Sequence, residues 1–285
     1  MRKCTWPLAA LMLLTAASPT FPWGPEAHKI ATSTACDVLR GSIGQFFKDN
    51  REFLLDHCNE PDDWAYDGKH PEERYQHYID LDLVAPYPFD DIPRDYAKFE
   101  AKLKEKELTV ADVGRVPWRI EERYRQLTGA FREKDWEKVK HIASHLAHYV
   151  EDASQPLHST KNYDGQFSGN RGVHGRFEAD MIRHYLDEYS DLSGARGAGA
   201  FIKEPVEFAF QVLIDSYVYV DNIMRADTQA HRFGETYDAA YYERLHGHVG
   251  WIAKRRLGDA ATAVASLWLS AWIEAGKPEL PEGEN

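Results

Sequence analysis

Apolar side chains recur every three or four residues along most of the chain beyond residue 27. This spacing places them on one side of an α-helix, so it predicts helices. No long alternation of β-branched residues competes with it, and we expect no substantial sheet. The periodic stretches cover residues 28–47, 116–131, 135–150, 177–189, 205–224 and 256–275.

Loops rich in proline, aspartate and glycine separate these stretches and indicate how the chain is organised. They cover residues 59–75, 82–96, 159–175 and 190–199. No internal repeat, low-complexity tract or linker divides the chain, and the hydrophobic content of 43% is enough for a sizeable core. The sequence therefore predicts one all-α, multi-helix domain over residues 23–285, with a frayed tail from about residue 279.

The first 22 residues have the pattern of a signal peptide. Arg2 and Lys3 precede an apolar run from Pro7 to Ala17, and small residues and prolines follow. The run is far shorter than the roughly 20 apolar residues that a membrane-spanning helix needs. We therefore expect an exported protein, secreted or periplasmic, without a transmembrane segment. Nothing in the sequence indicates an obligate protein partner.

The net charge bears on which ligands the protein can bind, and the cysteine content bears on disulfide formation. The formal net charge is −12, and it becomes −14 when the signal peptide removes Arg2 and Lys3. Such a surface repels polyanions unless bound metal ions reverse the field locally. Cys4 lies in the signal peptide, while Cys36 and Cys58 remain. A disulfide and a pair of buried thiols are both compatible with these two residues.

Three histidines and an aspartate fall on one side of the helix predicted from Asp135 to about Asp152. At about 100° per residue they span an arc of about 60°. A solvated polar face is the ordinary explanation, but Pro156 ends the helix and the next turn returns His158 toward the same end. A metal site built from a helix terminus and a loop requires such a break. The group consists of His141, His145, His148 and Asp152.

Two other segments carry possible metal ligands. His174 and Glu178 are four residues apart, a spacing that suits zinc on a helix but more often marks a surface contact. Upstream, His77 and either Asp62 or Asp63 lie in or beside a long polar loop. Neither segment indicates a metal site without the other.

The predicted mature chain begins with "WGPEAH". His28 follows Trp23 closely, and a free α-amine on Trp23 would be a nitrogen ligand in its own right. Pro22 departs from the small residue that usually precedes a cleavage site. Cleavage after Ala16 or Ala17 therefore stays open, and the amine ligand depends on further trimming.

In this order, the four segments resemble the motif set of the zinc-dependent phospholipase C and single-strand-specific nuclease superfamily, which are secreted, all-helical bacterial enzymes. The signature H-x-x-x-D-x-x-x-x-x-H is met by His148, Asp152 and His158, with "QP" before the last histidine. The similarity extends from Trp23 to about residue 180 and continues more loosely through residues 255–272.

The resemblance implies three Zn²⁺ ions per chain. The first would be held by Asp62, His77, His148 and Asp152. The second would share Asp152 and add His28 with the amine and carbonyl of Trp23. The third would be held by His158, His174 and Glu178. Asp62 is preferred to Asp63 because it follows a proline fifteen residues before His77, as in several relatives. His141 and His145 have no counterpart, so we expect them to support ligands or to pack.

The resemblance also implies hydrolysis of a phosphodiester by metal-activated water, with Asp62 as the catalytic general base. Three divalent ions would outweigh three carboxylates, which makes the cleft electropositive inside an acidic protein. The substrate is then a phospholipid or a single-stranded nucleic acid.

Several positions bear on the choice of substrate. Glu178, the "HGRFE" segment and Ala65, where the nucleases carry arginine, favour the phospholipases, whereas "WGPEAH" and "HYID" are closer to the nucleases. We favour a phospholipase C-like hydrolase over a nuclease. A non-catalytic helical zinc-binding protein is less favoured, because structural zinc sites usually contain cysteine.

Overall fold

The computed structural model describes residues 23–194, 197–231 and 236–281. It confirms the all-α prediction, with 69% of the described residues helical. Within the described ranges, β-type pairing is limited to one isolated bridge between Ile79 and Gly114. The predicted signal peptide and the last four residues of the predicted frayed tail lie outside these ranges. None of the described helices is both long enough and apolar enough to span a membrane.

The described chain forms α-helices joined by turns and by several longer loops. The first nine are α1 (Pro25–Val38), α2 (Gly41–Asp49), α3 (Arg51–His57), α4 (Glu60–Tyr66), α5 (Leu81–Val84), α6 (Tyr96–Glu105), α7 (Val110–Val113), α8 (Val116–Glu133) and α9 (Trp136–Ser154). The remaining six are α10 (Val173–Gly175), α11 (Met181–His184), α12 (Leu186–Tyr189), α13 (Pro205–Tyr217), α14 (Val220–Ala230) and α15 (Ala239–Glu274). Two 3-10 turns cover Arg74–Gln76 and Pro156–Ser159, and a π-helical turn covers Arg176–Asp180.

The structure divides several stretches that the apolar spacing predicted as continuous. Residues 28–47 break between α1 and α2, where Leu39 and Arg40 are extended and Gly41 has a φ of 70°. A positive φ is accessible to glycine at little cost, so it favours a break at Gly41. Conversely, part of a predicted loop is helical: residues 59–75 contain α4, so Asp62 lies on a helix.

Two hydrophobic cores hold the helices together. The first is built mainly from α8, α9, α13 and the C-terminal half of α15. The second is built from α1, α14 and the N-terminal half of α15, and it includes Leu157 and Phe177. Because α15 runs through both cores, it ties them together. The candidate metal ligands belong to segments that border these two cores.

Cys36 and Cys58 are both buried free thiols in the structure. Each donates a weak hydrogen bond within its own segment, Cys36 to the carbonyl of Thr32 and Cys58 to that of Leu55. Burial raises the pKa of Cys36 to about 12, and it raises the pKa of Cys58 as well. The thiols therefore pack as small apolar side chains.

The described residues that follow α15 contact the helical body. Trp272 donates its indole N–H to the carbonyl of Pro278, and Leu280 packs against the first core. These contacts hold the chain to the helical body for several residues beyond the end of α15.

Trp268→Ala should lower the free energy of unfolding by about 3–5 kcal/mol, the usual cost of truncating a buried aromatic side chain. Trp268 is fully buried, stacks on Phe47 at a centroid distance of 4.1 Å and donates its indole N–H to the carbonyl of Ala143. Urea denaturation measures the change. Trp251→Ala is the matched control. Trp251 is 56% exposed, so its loss should shift stability by no more than about 0.5 kcal/mol.

Candidate metal centre

Helix α9 carries the central side chains of the candidate site. Asp135 caps its N-terminus, where its side chain accepts the backbone N–H of Lys138, and the helix ends before Pro156. Its residues from Ile142 to Ser154 are all buried. His148 and Asp152 lie one turn apart on this buried segment, so both project in the same direction without contact with solvent.

Asp62, His77 and His148 form the first group of candidate ligands. One atom from each lies within 4.8 Å of the others. Asp62 Oδ1 is 3.6 Å from His77 Nδ1 and 3.5 Å from His148 Nε2. The alternative ligand Asp63 is exposed, whereas Asp62 is buried. The fold thus brings together Asp62, from α4, and His148, from α9.

Asp152 lies between the first group and a second group made with His28. Its Oδ2 is 2.8 Å from His77 Nδ1 and 3.2 Å from His148 Nε2. Its Oδ1 faces the other way and is 3.7 Å from His28 Nε2. His28, His148 and Asp152 again offer atoms within 4.8 Å of one another. One carboxylate therefore serves both groups.

His158, His174 and Glu178 form the third group, and their ligand atoms also lie within 4.8 Å of one another. His174 Nε2 is 2.8 Å from Glu178 Oε2 and 3.2 Å from His158 Nε2. His158 also points Nδ1 at Asp152 Oδ1, 3.6 Å away. The 3-10 turn after Pro156 brings His158 back beside the end of α9.

Several ligand atoms in these groups are buried and have no hydrogen-bond partner among the described residues. They are His28 Nε2, both carboxylate oxygens of Asp62, Asp152 Oδ1 and Glu178 Oε1. Buried polar atoms normally have a partner, because a bare one loses its hydration without compensation. Ligands at tetrahedral zinc lie about 3.3 Å apart, close to many of the distances above. The donor set therefore fits zinc.

Backbone and side-chain acceptors orient the histidines of the site. His148 Nδ1 donates to the carbonyl of Cys58 at 2.8 Å, which leaves Nε2 facing the carboxylates. Fixing one ring nitrogen in this way selects the tautomer whose other nitrogen can bind a metal. His158 and His174 are oriented similarly, by the carbonyls of His77 and Tyr163 respectively.

Glu151 orients His28 and was missed by reasoning from the sequence. It is fully buried, accepts His28 Nδ1–H at 2.7 Å and accepts the Thr32 hydroxyl at 2.7 Å. Its backbone carbonyl also accepts the indole N–H of Trp23 at 2.8 Å. The available signal was a charged residue directly before Asp152 and directly after the apolar Val150.

Gln155 was also missed, and it supports the third group. Its side-chain amide donates to Glu178 Oε2 at 2.8 Å, while its amide oxygen accepts the backbone N–H of Leu157 at 2.6 Å. The same residue therefore ends α9, shapes the turn and holds a candidate ligand.

Trp23 is buried and packs on Phe177 at a centroid distance of 6.0 Å. Its amine and carbonyl as zinc ligands stay a prediction, because that role depends on removal of residues 1–22, which are outside the described part of the chain. The contact of its indole with Glu151 places Trp23 next to the residue that orients His28.

Electrostatics within the site are dominated by burial and by close opposite charges. Burial opposes the charge on His148, but the carboxylates of Asp152 and Asp62 outweigh it and raise its pKa well above the ordinary value. Burial likewise opposes ionisation of Asp152, yet His148 lowers the pKa of that carboxyl well below its usual range. Burial lowers the pKa of His158 to about 3 and raises the pKa of Glu178. Asp152 is thus an anion and His158 a neutral imidazole, the forms in which these two side chains bind metal.

His141 and His145 do not join the three groups. His145 Nε2 donates to Glu60 Oε2 at 2.7 Å, and its ring meets Trp64 edge-on at 4.7 Å. His141 packs edge-on against His57 at 4.6 Å. Although the helical wheel groups them with His148, they lie nearer the N-terminus of α9 and contact α3 and α4.

The comparisons with known proteins give a match in structure but none in sequence. No family model matches the chain, and none of the curated proteins matches it. Among solved structures, the alpha-toxin of Clostridium perfringens from an avian strain has a TM-score of 0.50 and 14% identity. The match covers 93% of this chain and 67% of the toxin.

A second solved structure, the alpha toxin of Clostridium absonum, has a TM-score of 0.49 and 12% identity over 90% of this chain and 65% of that toxin. At such low identities the likeness concerns the fold. The chain shares the all-α architecture of the Clostridium perfringens toxin.

Proposed function

We propose that the protein is a zinc-dependent phosphodiester hydrolase that acts, like a phospholipase C, on the phosphoester of a phospholipid head group. The observation that carries the proposal is the set of buried, unpartnered ligand atoms in three adjoining groups, with Asp152 lying between two of them. Open sites of histidine and carboxylate are typical of catalytic rather than structural zinc. The motif resemblance and the shared fold with the alpha-toxin support the same class of enzyme.

Each group would hold one ion. The first would be bound by Asp62, His77, His148 and Asp152, the second by Asp152, His28 and the main chain of Trp23, and the third by His158, His174 and Glu178. The opposed directions of the two Asp152 oxygens support its role as the bridge. When bound, the ions would supply Lewis acidity, lowering the pKa of a water molecule and drawing charge from the phosphoryl oxygens.

Asp62 is the candidate general base. Both of its carboxylate oxygens are buried and without partners in the described structure, so one can bind metal while the other accepts a proton from the attacking water. Asp152 keeps its negative charge in this environment, and Gln155 holds Glu178 in place. In the proposed site, these side chains would hold the ligands and the general base in place for attack by water on the phosphate.

Exposed aromatic side chains beside the third group support a lipid substrate. Tyr163 and Phe167 are 44% and 72% exposed, and the carbonyl of Tyr163 accepts the Nδ1–H of His174. Aromatic and apolar side chains that extend from a loop can enter the interface of a lipid layer. Ala65 is buried where the nucleases of the resembled superfamily carry arginine, so this chain has no guanidinium at that position.

A side-by-side assay on phosphatidylcholine vesicles and single-stranded DNA tests this proposal. We expect release of phosphocholine that stops when a chelator removes zinc, with little hydrolysis of DNA. Chelator-sensitive cleavage of DNA without lipid hydrolysis would identify the alternative, a single-strand nuclease or nucleotidase. Hydrolysis that persists after complete removal of zinc would contradict the metal mechanism.

Phe167→Ser separates lipid contact from chemistry. We expect it to lower vesicle hydrolysis about tenfold, since burying a phenylalanine contributes about 1.5–3 kcal/mol. Hydrolysis of a dissolved short-chain phosphodiester should not change, because Phe167 is not a candidate ligand. Equal loss on both substrates would instead indicate that the side chain supports the fold of its loop.

Metal content distinguishes the enzyme from a non-catalytic helical zinc protein. The three groups predict at least three Zn²⁺ per chain after reconstitution, whereas one or none would contradict the catalytic proposal.

We further propose that residues 1–22 direct export, so that the enzyme acts in the periplasm or outside the cell.

A further inference from the structure

A fourth cluster of metal-binding side chains lies outside the three groups. His57, Glu60 and His141 each offer one ligand atom, and these atoms lie within 4.8 Å of one another. All three residues are half-buried, so an ion can reach them from solvent. None of them belongs to the proposed hydrolytic site. We call His57, Glu60 and His141 the outer cluster.

His57 is oriented as a metal-binding histidine is. Its Nδ1 donates to the carbonyl of Phe53, one helical turn earlier, at 2.7 Å. This bond fixes the tautomer and leaves the lone pair on Nε2, which is 3.8 Å from Glu60 Oε1. That separation is too long for a hydrogen bond but suits two ligands on one ion. The ring also stacks on Phe53 at 4.0 Å, which restricts its rotation.

Glu60 is held in place from its other side. Its Oε2 accepts Nε2–H of His145 at 2.7 Å, while Oε1 remains directed toward His57. A hydrogen bond that orients a ligating carboxylate is a common feature of metal sites. His145 therefore acts on Glu60 as Glu151 acts on His28.

His141 completes the cluster from α9. Its ring packs edge-on against Phe53 at 4.8 Å and against His57 at 4.6 Å. Edge-on packing orients an imidazole without using its nitrogen atoms. The ring is thereby fixed by apolar contacts, and its nitrogen lone pair can serve as a ligand.

We propose that the outer cluster is a separate binding site for a divalent transition-metal ion, with zinc as the reference ligand. Two imidazoles and one carboxylate suit zinc, copper or nickel, and they do not suit calcium or magnesium, which prefer oxygen ligands. His145 is a positioning residue for Glu60. Three protein ligands leave an open coordination position at the half-buried surface.

The outer cluster links the α3–α4 segment to α9. It joins the end of α3 and the start of α4 to α9. Cys58, whose carbonyl orients His148, and Asp62 lie in the same α3–α4 segment. An ion bound here would tie this segment to α9 and stabilise the folded state, because it binds the native arrangement and not the unfolded chain.

Zinc content per chain tests the proposal. Metal-free full-length protein is titrated with Zn²⁺ alone, and bound zinc is measured by elemental mass spectrometry after removal of free ion. Wild type should hold one more zinc than His57→Asn/His141→Asn, and its thermal midpoint should rise further with zinc than that of the double variant. His70→Asn is the matched control, since His70 faces Glu72 at 3.5 Å and the described residues add no third ligand there, and it should retain the wild-type count.

Glu60→Gln provides a second test of the site in case the double variant misfolds. Its amide oxygen can still accept from His145, while the charged ligand is lost, so it should lose the same ion with an unchanged circular dichroism spectrum. Phosphodiester hydrolysis at saturating zinc should remain at the wild-type rate in both variants. A full wild-type zinc count in the folded double variant and in folded Glu60→Gln would overturn the proposal. The outcome is independent of the hydrolytic site, because the difference of one zinc is expected whatever number the other groups hold.

Discussion

Replacing Asp152 with asparagine should abolish phosphodiester hydrolysis and release more than one zinc ion per chain. The two oxygens of Asp152 face different groups, Oδ2 toward His77 and His148 and Oδ1 toward His28. Asparagine has one carbonyl oxygen and no charge, so it cannot replace the bridge. Losing Lewis acidity that contributes several kcal/mol would lower the rate by about 10³-fold or more.

Asp80→Asn is the matched control for this variant. Asp80 is a buried carboxyl close in sequence to His77, and burial, with a further contribution from Asp82, raises its pKa to about 8. It is therefore mostly protonated at pH 7, and an amide of the same shape should preserve both zinc content and activity. Elemental analysis and turnover of a phosphodiester measure both effects. An Asp152→Asn protein that folds and still turns over would contradict the bridging assignment.

Glu151→Leu should weaken binding at the His28 group without removing a ligand. Glu151 is not within the three groups, yet it accepts Nδ1–H of His28 and so presents Nε2 to Asp152. Leucine leaves that N–H buried without a partner and frees the ring to reorient. Loss of such an orienting carboxylate typically lowers metal affinity about 10- to 100-fold. The deficit should appear as activity that is low at limiting zinc and recovers at high zinc.

Glu151→Gln separates orientation from charge. Its amide oxygen can accept from His28, while its amino group can donate to the Thr32 hydroxyl, so most of the affinity should be retained. Zinc titrations of wild type and the two variants, monitored by activity, give the order of affinities. If leucine and glutamine had equal effects, the charge of Glu151 and not its hydrogen bond would be the important property.

The strongest parts of the sequence interpretation rest on local relationships. Apolar spacing in residues 116–131 and 135–150 predicted α8 and α9, and Pro156 predicted the end of α9. These features depend on residues close together in sequence and on the regular geometry of a helix, so the sequence alone is enough to predict them. The same spacing predicted one continuous helix over residues 205–224, and this was wrong. The apolar pattern continues across Val218 and Tyr219, where the structure separates α13 from α14.

The candidate ligands were named from residue type, spacing and the resemblance of their order to a known motif set. Spacing along one helix was enough to put His148 and Asp152 on the same face. It also put His141 and His145 there, and it offered no means of separating them from the three groups. The separation arises because α3 and α4 meet α9 near His141 and His145, whereas the segments of His28 and His77 approach it near Asp152.

Residue types and local spacing were therefore sufficient for the helical class and for a list of ligand candidates. The resemblance to a known motif set already implied the division of those candidates into three groups and the shared role of Asp152, whereas the contacts that bring the ligands together and the orienting roles of Glu151 and Gln155 required the folded chain. Glu151 and His28 are 123 positions apart, and His148 and the carbonyl of Cys58 are 90 apart. Contacts over such separations follow from how the helices pack around two cores, because helix periodicity specifies which face is apolar but not which partner covers it.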